Sequence, residues 1–415
     1  MLKVSKKIKS FSSEGSGLLS EIPELIGRGL KLESREETLS AIEQLVLEDN
    51  ISEIYLNGNT MSVEACQVLG EVIQTKKDLE VADFSDIFTG RSAKEIPFAL
   101  EYLLSGLISC GKCSTVYLSD NAFGSTASKP LITFLSRHRP LKHLYLTNNG
   151  LGPSAGACVA RALEELAEIQ SVEPSVYLET LVCGRNRLEN ASMNAWSSCF
   201  RAHKNLRHVK MPQNGIRSEG ICILLKTGLS ECSRLQTLDL QDNTFTVSGA
   251  KTLVRMLPKW PHLVELGISD CLLSKAGGKL LAQALFDTDF MQLKILRLQY
   301  NGIDEEGVKI LGNAIERSLP NLELLELNGN VFSEEDESVE KIRNIFEKRE
   351  KGVLDDLDDM EEPSESDIME ESSEPENLDD LNEETDDIDE KEIKFPIKKE
   401  TGTNISDLLE KTSLT

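Results

Sequence analysis

A stretch of nearly constant length returns along this chain: LQTLDLQDNTF at Leu235 to Phe245, LKILRLQYNGI at Leu293 to Ile303 and LELLELNGNVF at Leu322 to Phe332. Self-similarity at a fixed period constrains the fold more than any single residue, because one unit cannot bury its apolar face alone and must stack on its neighbours. The copies fit L-x-x-L-x-L-x-x-N/C-x-L, and the residue in the second strand-leucine slot tracks them: Leu56, Phe84, Leu118, Leu146, Cys183, Met211, Leu240, Ile268, Leu298 and Leu327. Leu30 and Leu32 form a weaker opening copy, which makes about 11 units. Most steps are about 28 to 30 residues, enough for a helix in every unit.

Alternating apolar residues in each copy predict a short strand, since a period of 2 sends them to one side. The segment after it, for example SGAKTLVRMLPKW from Ser248, spaces Ala250, Leu253 and Leu257 as a helix would. Strand and helix alternate, so the strands must run parallel with the helices on the far side. The expected fold is an α/β leucine-rich-repeat solenoid, a ribonuclease-inhibitor-like horseshoe with a concave sheet and convex helices.

The repeated asparagines (Asn59, Asn121, Asn149, Asn186, Asn214, Asn243, Asn301, Asn330) read as structural. Their amides can satisfy backbone groups where each strand turns away, forming a ladder through the stack. Cys271 fills the same slot. One position earlier lies a second line: Asp86, Asp120, Asn148, Arg185, Gln213, Asp242, Asp270 and Tyr300. At about 4.8 Å between strands this line is on the order of 30 Å long, the width of a small globular partner.

One repeat departs from the pattern. In VADFSDIFTGRSAKEIP the asparagine slot holds Ile87, and the step from Phe84 to Leu118 is longer than its neighbours. Extra residues in one unit become a protruding loop that binds or an inert connection. Phe84, Ile87 and Phe88 are the expected anchors, with Thr89, Gly90 and Arg91 projecting.

Composition divides the chain into residues 1–24 as an N-terminal extension, 25–350 as the repeat domain and 351–415 as an acidic tail. From Leu354 to Glu392, Asp and Glu dominate and Lys391 is the sole basic residue, so most of the net charge of -25 lies there. Such a block cannot bury enough apolar surface to fold, and truncation after about Lys351 is expected to leave folding intact. The tail is either a solubilising appendage or a partner for a basic surface. The charge balance argues against nucleic acid, which needs clustered Lys and Arg. No apolar run of about 20 residues is present to span a membrane, and MLKVSKKIKSFSS lacks the apolar core of a secretory signal. The sequon at Asn190 carries little weight without secretion. Nine cysteines, an odd number, do not suggest a disulfide framework. Cys110 and Cys113 form the only C-x-x-C and lack the second pair or His that a zinc site needs. Neither H-E-x-x-H nor a phosphate-binding G-x-x-x-x-G-K-[ST] loop occurs, so no cofactor or metal of the chain's own is expected.

Six runs go beyond the repeat template, and the first and fourth of them are far more specific than leucine spacing: DFSDIFTGR (Asp83 to Arg91), LSDNAFG (Leu118 to Gly124), YLTNNGLGP (Tyr145 to Pro153), CGRNRLEN (Cys183 to Asn190), QNGIR (Gln213 to Arg217) and LDLQDNTFT (Leu238 to Thr246). They resemble the GTPase-activating proteins of the small G protein Ran, over roughly residues 25 to 347, and the acidic tail resembles the short members of that family. Met1 to Pro23 and Ile393 to Thr415 match nothing in it.

The resemblance implies an activator, not an enzyme with its own active site, that makes GTP-bound Ran hydrolyse its nucleotide, with GTP and Mg²⁺ held by Ran. It implies a cytoplasmic monomer supporting nucleocytoplasmic transport, also found at the nuclear envelope or nucleus, and acting on Ran alone or with a Ran-binding protein. In the family no arginine finger is inserted: the residue matching Asn148 positions the catalytic glutamine of Ran, and that matching Arg91 is essential but outside the nucleotide pocket. Asp86, Asp120, Arg185, Arg187, Gln213 and Asp242 are the expected partner-binding residues. A loop-borne Arg91 should contribute little to the core, so its removal is expected to spare thermal stability. The alternative is a binding or inhibitor module of the same architecture without GTPase activation.

Overall fold

A computed structural model describes residues 27–361 except 127 and 173–175. The N-terminal extension and the acidic chain beyond Glu361 lie outside the described residues. Eleven strands form one parallel sheet in strict chain order, at Glu53–Tyr55, Val81–Asp83, Thr115–Tyr117, His143–Tyr145, Thr180–Val182, His208–Lys210, Thr237–Asp239, Glu265–Gly267, Ile295–Arg297, Leu324–Glu326 and Val353–Leu354. Each neighbouring pair is in register without a shift, Ile54 beside Ala82 and Leu144 beside Leu181. The middle residue of each of the first ten strands is buried and its flanks are in most cases half-exposed, so one face packs on the helices and the other is open. A helix about 10 Å wide backs strands only about 4.8 Å apart, which bends the stack with the sheet inside.

The core is continuous from Leu32 to Leu357. In the helix Thr246–Met256, Ala250 and Leu253 are buried, as is Leu257 in the 3₁₀ turn that follows. The longest step in the repeat, from Leu146 to Cys183, is absorbed by a 19-residue helix, Gly152–Gln170. The helices Val63–Ile73 and Ile96–Ile108 approach closely through two glycines: a Cβ on Gly106 would lie 2.6 Å from Gly70 O. This contact seats the irregular repeat against the one before it.

Two expectations about the ends need correction. The opening copy does not extend the main sheet: Lys31–Leu32 pairs instead with Thr60–Met61, beyond the strand Glu53–Tyr55. At the other end, the stretch assigned to the acidic tail supplies the eleventh strand, Val353–Leu354, followed by buried Leu357. The repeat domain therefore runs to Glu361, and its boundary is not at residue 350. Acidic composition hid the alternation of Leu354 and Leu357 with aspartates that make bonds of their own.

Candidate functional site

The asparagine ladder forms as the spacing predicts. Asn149 Nδ2 donates to Leu118 O and Leu146 O, both at 3.0 Å, while its Oδ1 accepts Asn121 N–H at 3.0 Å. Asn149 N–H in turn donates to Asn186 Oδ1, and Asn186 N–H to Asn214 Oδ1. Cys271 keeps the donor half of this role, its thiol directed at Leu240 O and Ser269 O. Ile87 keeps neither half, yet its N–H still reaches Asn121 Oδ1 at 2.9 Å.

The line one residue earlier has a shared backbone state. Asp86, Asp120, Asn148, Arg185, Gln213, Asp242, Asp270 and Tyr300 all have φ between 49° and 61°. Each donates its N–H to a carbonyl of the next repeat, Asn148 to Gly184 O and Arg185 to Pro212 O, both at 2.9 Å. A left-handed residue suits Gly, Asn and Asp and penalises others, so Asn148 and the aspartates fit the turn on backbone grounds alone. Arg185, Gln213 and Tyr300 do not, nor do Arg187 and Leu272, whose φ values are 54°. Their side chains stand outward at the rim at a conformational cost. Arg185 and Arg187 are exposed and make no ion pair among the described residues.

Asn148 is exposed and donates Nδ2 to Asp120 Oδ1 at 2.8 Å, which fixes its amide and leaves Oδ1 as a free acceptor toward solvent. Beneath it on the open face, Tyr145 stacks on Tyr117 with ring centroids 4.2 Å apart. A cleft of about 470 Å³ opens farther along the rim, lined among others by Arg187, Glu189, Gln213, Asp242, Asp270 and Leu272. Of these, Glu189 and Leu272 escaped the sequence reading because they follow the ladder slots Asn186 and Cys271, outside the line that precedes them.

Phe84, Ile87 and Phe88 anchor the irregular loop in the core, and Thr89 and Gly90 are exposed. Arg91 does not project. Its side chain is 10% exposed and turns back to the first repeat, where Nη1 meets Glu33 Oε2 at 2.8 Å. Nη2 faces Leu32 O at 3.4 Å and Thr60 O at 3.5 Å. Glu33 is distant in sequence, and no spacing signal points to it.

The remaining titratable groups are set apart from the rim. Burial pushes the thiols of Cys66, Cys113 and Cys183 up to about 12, and holds His138 and His203 down at about 4. No His, Cys, Asp and Glu cluster among the described residues is arranged to hold a metal, and no described helix is long and apolar enough to cross a membrane. The rim thus offers amides, carboxylates and guanidinium groups: chemistry that grips and orients a partner.

A leucine-rich-repeat family model matches residues 231–254. The chain is 35% identical over 338 residues to Ran GTPase-activating protein 1 of Saccharomyces cerevisiae, covering 80% of this chain and 83% of that one. The chain belongs to the Ran GTPase-activating protein family. It is 30% identical over 360 residues to Ran GTPase-activating protein of Drosophila melanogaster, covering 83% of this chain and 60% of the fly protein. A pig ribonuclease inhibitor is 28% identical over 242 residues, 57% of this chain and 49% of the inhibitor. Asn148 and Arg91 differ sharply in exposure, the first standing at the rim and the second turned inward.

Proposed function

We propose that this protein activates the GTPase of Ran, stimulating hydrolysis of Ran-bound GTP by ordering the catalytic glutamine of Ran rather than by contributing a nucleophile. Phosphoryl transfer needs positioning and charge stabilisation, and a GTPase already holds its Mg²⁺, phosphates and water-orienting glutamine. An outside group that fixes that glutamine supplies preorganisation. The carrying observation is the exposed Asn148 amide, clamped through Nδ2 by Asp120 with Oδ1 unspent. That oxygen can accept a hydrogen bond from the glutamine's own amide. The inward turn of Arg91 supports a reading in which no arginine finger enters the nucleotide pocket, since its guanidinium is already engaged with Glu33. Asp86, Asp120, Arg185, Arg187, Gln213 and Asp242 then form the contact rim for GTP-bound Ran. The activator works as a monomer, from the cytoplasm or the nuclear envelope, on Ran alone or with a Ran-binding protein, in support of nucleocytoplasmic transport.

Single-turnover hydrolysis of Ran-bound GTP at saturating activator tests this. The wild-type chain should accelerate the reaction by about 10⁵-fold, as GTPase activators do. Asn148→Ala should slow the saturated rate while keeping most of the affinity, because it removes an interaction needed in the transition state. A saturated rate equal to wild type would remove Asn148 from the mechanism, and binding of Ran without acceleration would favour the inhibitor-like alternative.

A further inference from the structure

Arg91 depends on a residue outside the rim. Its carboxylate partner Glu33 stands 58 residues earlier in the chain, and the backbone of Glu33 is fixed on both sides. Its N–H donates to Glu37 Oε2 at 3.0 Å, and its carbonyl accepts from Ser62 Oγ at 2.8 Å. Immediately after it, Ser34 and Glu37 form a capping box that sets the start of the helix Arg35–Ala41. Lys31 Nζ lies 3.0 Å from its other carboxylate oxygen, so cations flank Glu33 on two sides.

What Arg91 holds is the irregular loop. Its N–H donates to Phe88 O at 3.0 Å, while Met61 N–H donates to Ile87 O at 3.0 Å and Thr60 Oγ1 to Thr89 O at 3.2 Å. Thr89 Oγ1 then donates to the carboxylate of Asp86, the first residue of the rim line. The guanidinium's carbonyl contacts, at 3.4 and 3.5 Å, are at the long limit of hydrogen bonding. The short, charge-assisted bond to Glu33 is therefore the main restraint.

We propose that Glu33 is a positioning residue: it orients Arg91, and through Arg91 it sets the loop Thr89–Arg91 and the Asp86 carboxylate in the attitude the GTPase meets. The inference rests on the rim being the surface that engages Ran, and it adds a residue away from that surface that controls its affinity. Glu33→Gln keeps the size and hydrogen-bonding capacity of the side chain and removes its charge. In the full chain it should raise KM for Ran-GTP about tenfold with kcat within about twofold. Arg91→Ala should do the same, and the double variant should add nothing, because one linkage is broken in each case. Glu33→Asp, which keeps the charge on a shorter stem, should recover part of the loss. A residue that only supports the fold would lower the melting temperature and leave KM unchanged while the protein stays folded.

Hydrogen exchange in the free protein separates the two layers. The amides of Met61 and Arg91 should exchange about tenfold faster in Glu33→Gln, with the ladder amide of Asn186 unchanged. Unchanged exchange at Met61 and Arg91, or KM losses that add in the double variant, would overturn the proposal. Faster exchange together with a wild-type chain that fails to stimulate Ran would uphold the loop restraint and sink the GTPase reading on which its consequence rests.

Discussion

At the C-terminal end of the sheet, Leu327 donates its N–H to a carboxylate, Asp355 Oδ1 at 2.7 Å, where every equivalent residue before it donates to a backbone carbonyl of the next strand. Asp355 Oδ2 also accepts Asn328 N–H and Gln299 Nε2. At the N-terminal end the side chain that closes the stack is a cation, Arg91, facing the carbonyls of Leu32 and Thr60 with Glu33 to balance it. The aspartate follows from what the missing neighbour leaves over, since orphan N–H groups call for an acceptor, whereas Arg91 adds long second contacts to carbonyls of the paired opening strands, of which Leu32 O already accepts Ser62 N–H at 3.0 Å. The ends differ in a second way. Asp358 accepts from Asn328 Nδ2 and Asp359 from the hydroxyl of Tyr300, so the last residue of the rim line is exposed but tethered by a carboxylate, whereas Asp86, the first, is half-buried and accepts from Thr89 Oγ1 in the loop that Arg91 joins. Closure at one end engages the hydroxyl of the last rim residue, and at the other it steadies the loop that orients the first rim carboxylate.

The largest effect should come from undoing the C-terminal closure. A chain cut after Lys351 loses the strand Val353–Leu354, the Asp355 bonds and buried Leu357. It is expected to be about 3 to 6 kcal/mol less stable than a chain cut after Glu361. Denaturant unfolding of the two truncations measures the difference. Equal midpoints would show that the aspartate closure is dispensable and that the two ends are not comparable devices.

Next in size is Arg91→Ala, for which we expect a loss of about 2 to 3 kcal/mol because it removes a nearly buried side chain, its packing and its short bond to Glu33 together. This reverses the expectation that a loop arginine spares stability. A melting temperature unchanged from wild type would return Arg91 to the role of a free surface residue and leave the N-terminal end without a closing group.

How far the sequence carried these distinctions depends on what each residue does for its own repeat. The ladder was legible because one slot with one chemistry recurs: Asn149 and Asn186 are read by position alone. The rim line was legible as a position but not as a backbone state, since Arg185, Gln213 and Tyr300 are poor candidates for left-handed φ and nothing local announces it. Both ends were misread because their partners are remote. Leu30 and Leu32 carry the spacing of a repeat but pair beyond the next strand, and Asp355 looks like one acidic residue among many. The direction of Arg91 depends on Glu33, a residue that no pattern connects to it.

Between the ends the backbone is satisfied by neutral amides, which gives a reference for the charged closures. Asn149→Ala, which removes two donor bonds at 3.0 Å and the acceptor for Asn121, is expected to cost about 1 to 2 kcal/mol. Asn148→Ala should change stability by about 1 kcal/mol or less, since its amide is exposed and the costs are its bond to Asp120 and a left-handed backbone that suits Asn better than Ala. Thermal unfolding of the pair measures both. Equal losses would mean that rim and ladder are one structural unit, and the division between gripping and holding would fail.

The smallest effect distinguishes the N-terminal closure from the neutral ladder by acid. Arg91, and after it Lys31, holds the Glu33 carboxyl below its usual value of 4.5. With the folded value below the unfolded one, the unfolded chain binds more protons between the two, so the stabilisation is fully present above about pH 4.5 and is lost as pH falls through the folded value. The protection of Met61 and Arg91 amides, corrected for intrinsic exchange, should therefore decline on acidification below about pH 4.5. That of Asn301, which donates to the neutral Asn330 Oδ1, has no titrating acceptor to lose. Glu33 is solvent-accessible, so the decline should be shallow and should shrink further in high salt, where the attraction that depresses the carboxyl is screened. Glu33→Gln should abolish the difference between the two sites. If Met61 and Arg91 keep the same protection relative to Asn301 across that range in the wild-type chain, the charge on Glu33 is not what holds the first repeat, and the N-terminal closure rests on packing alone.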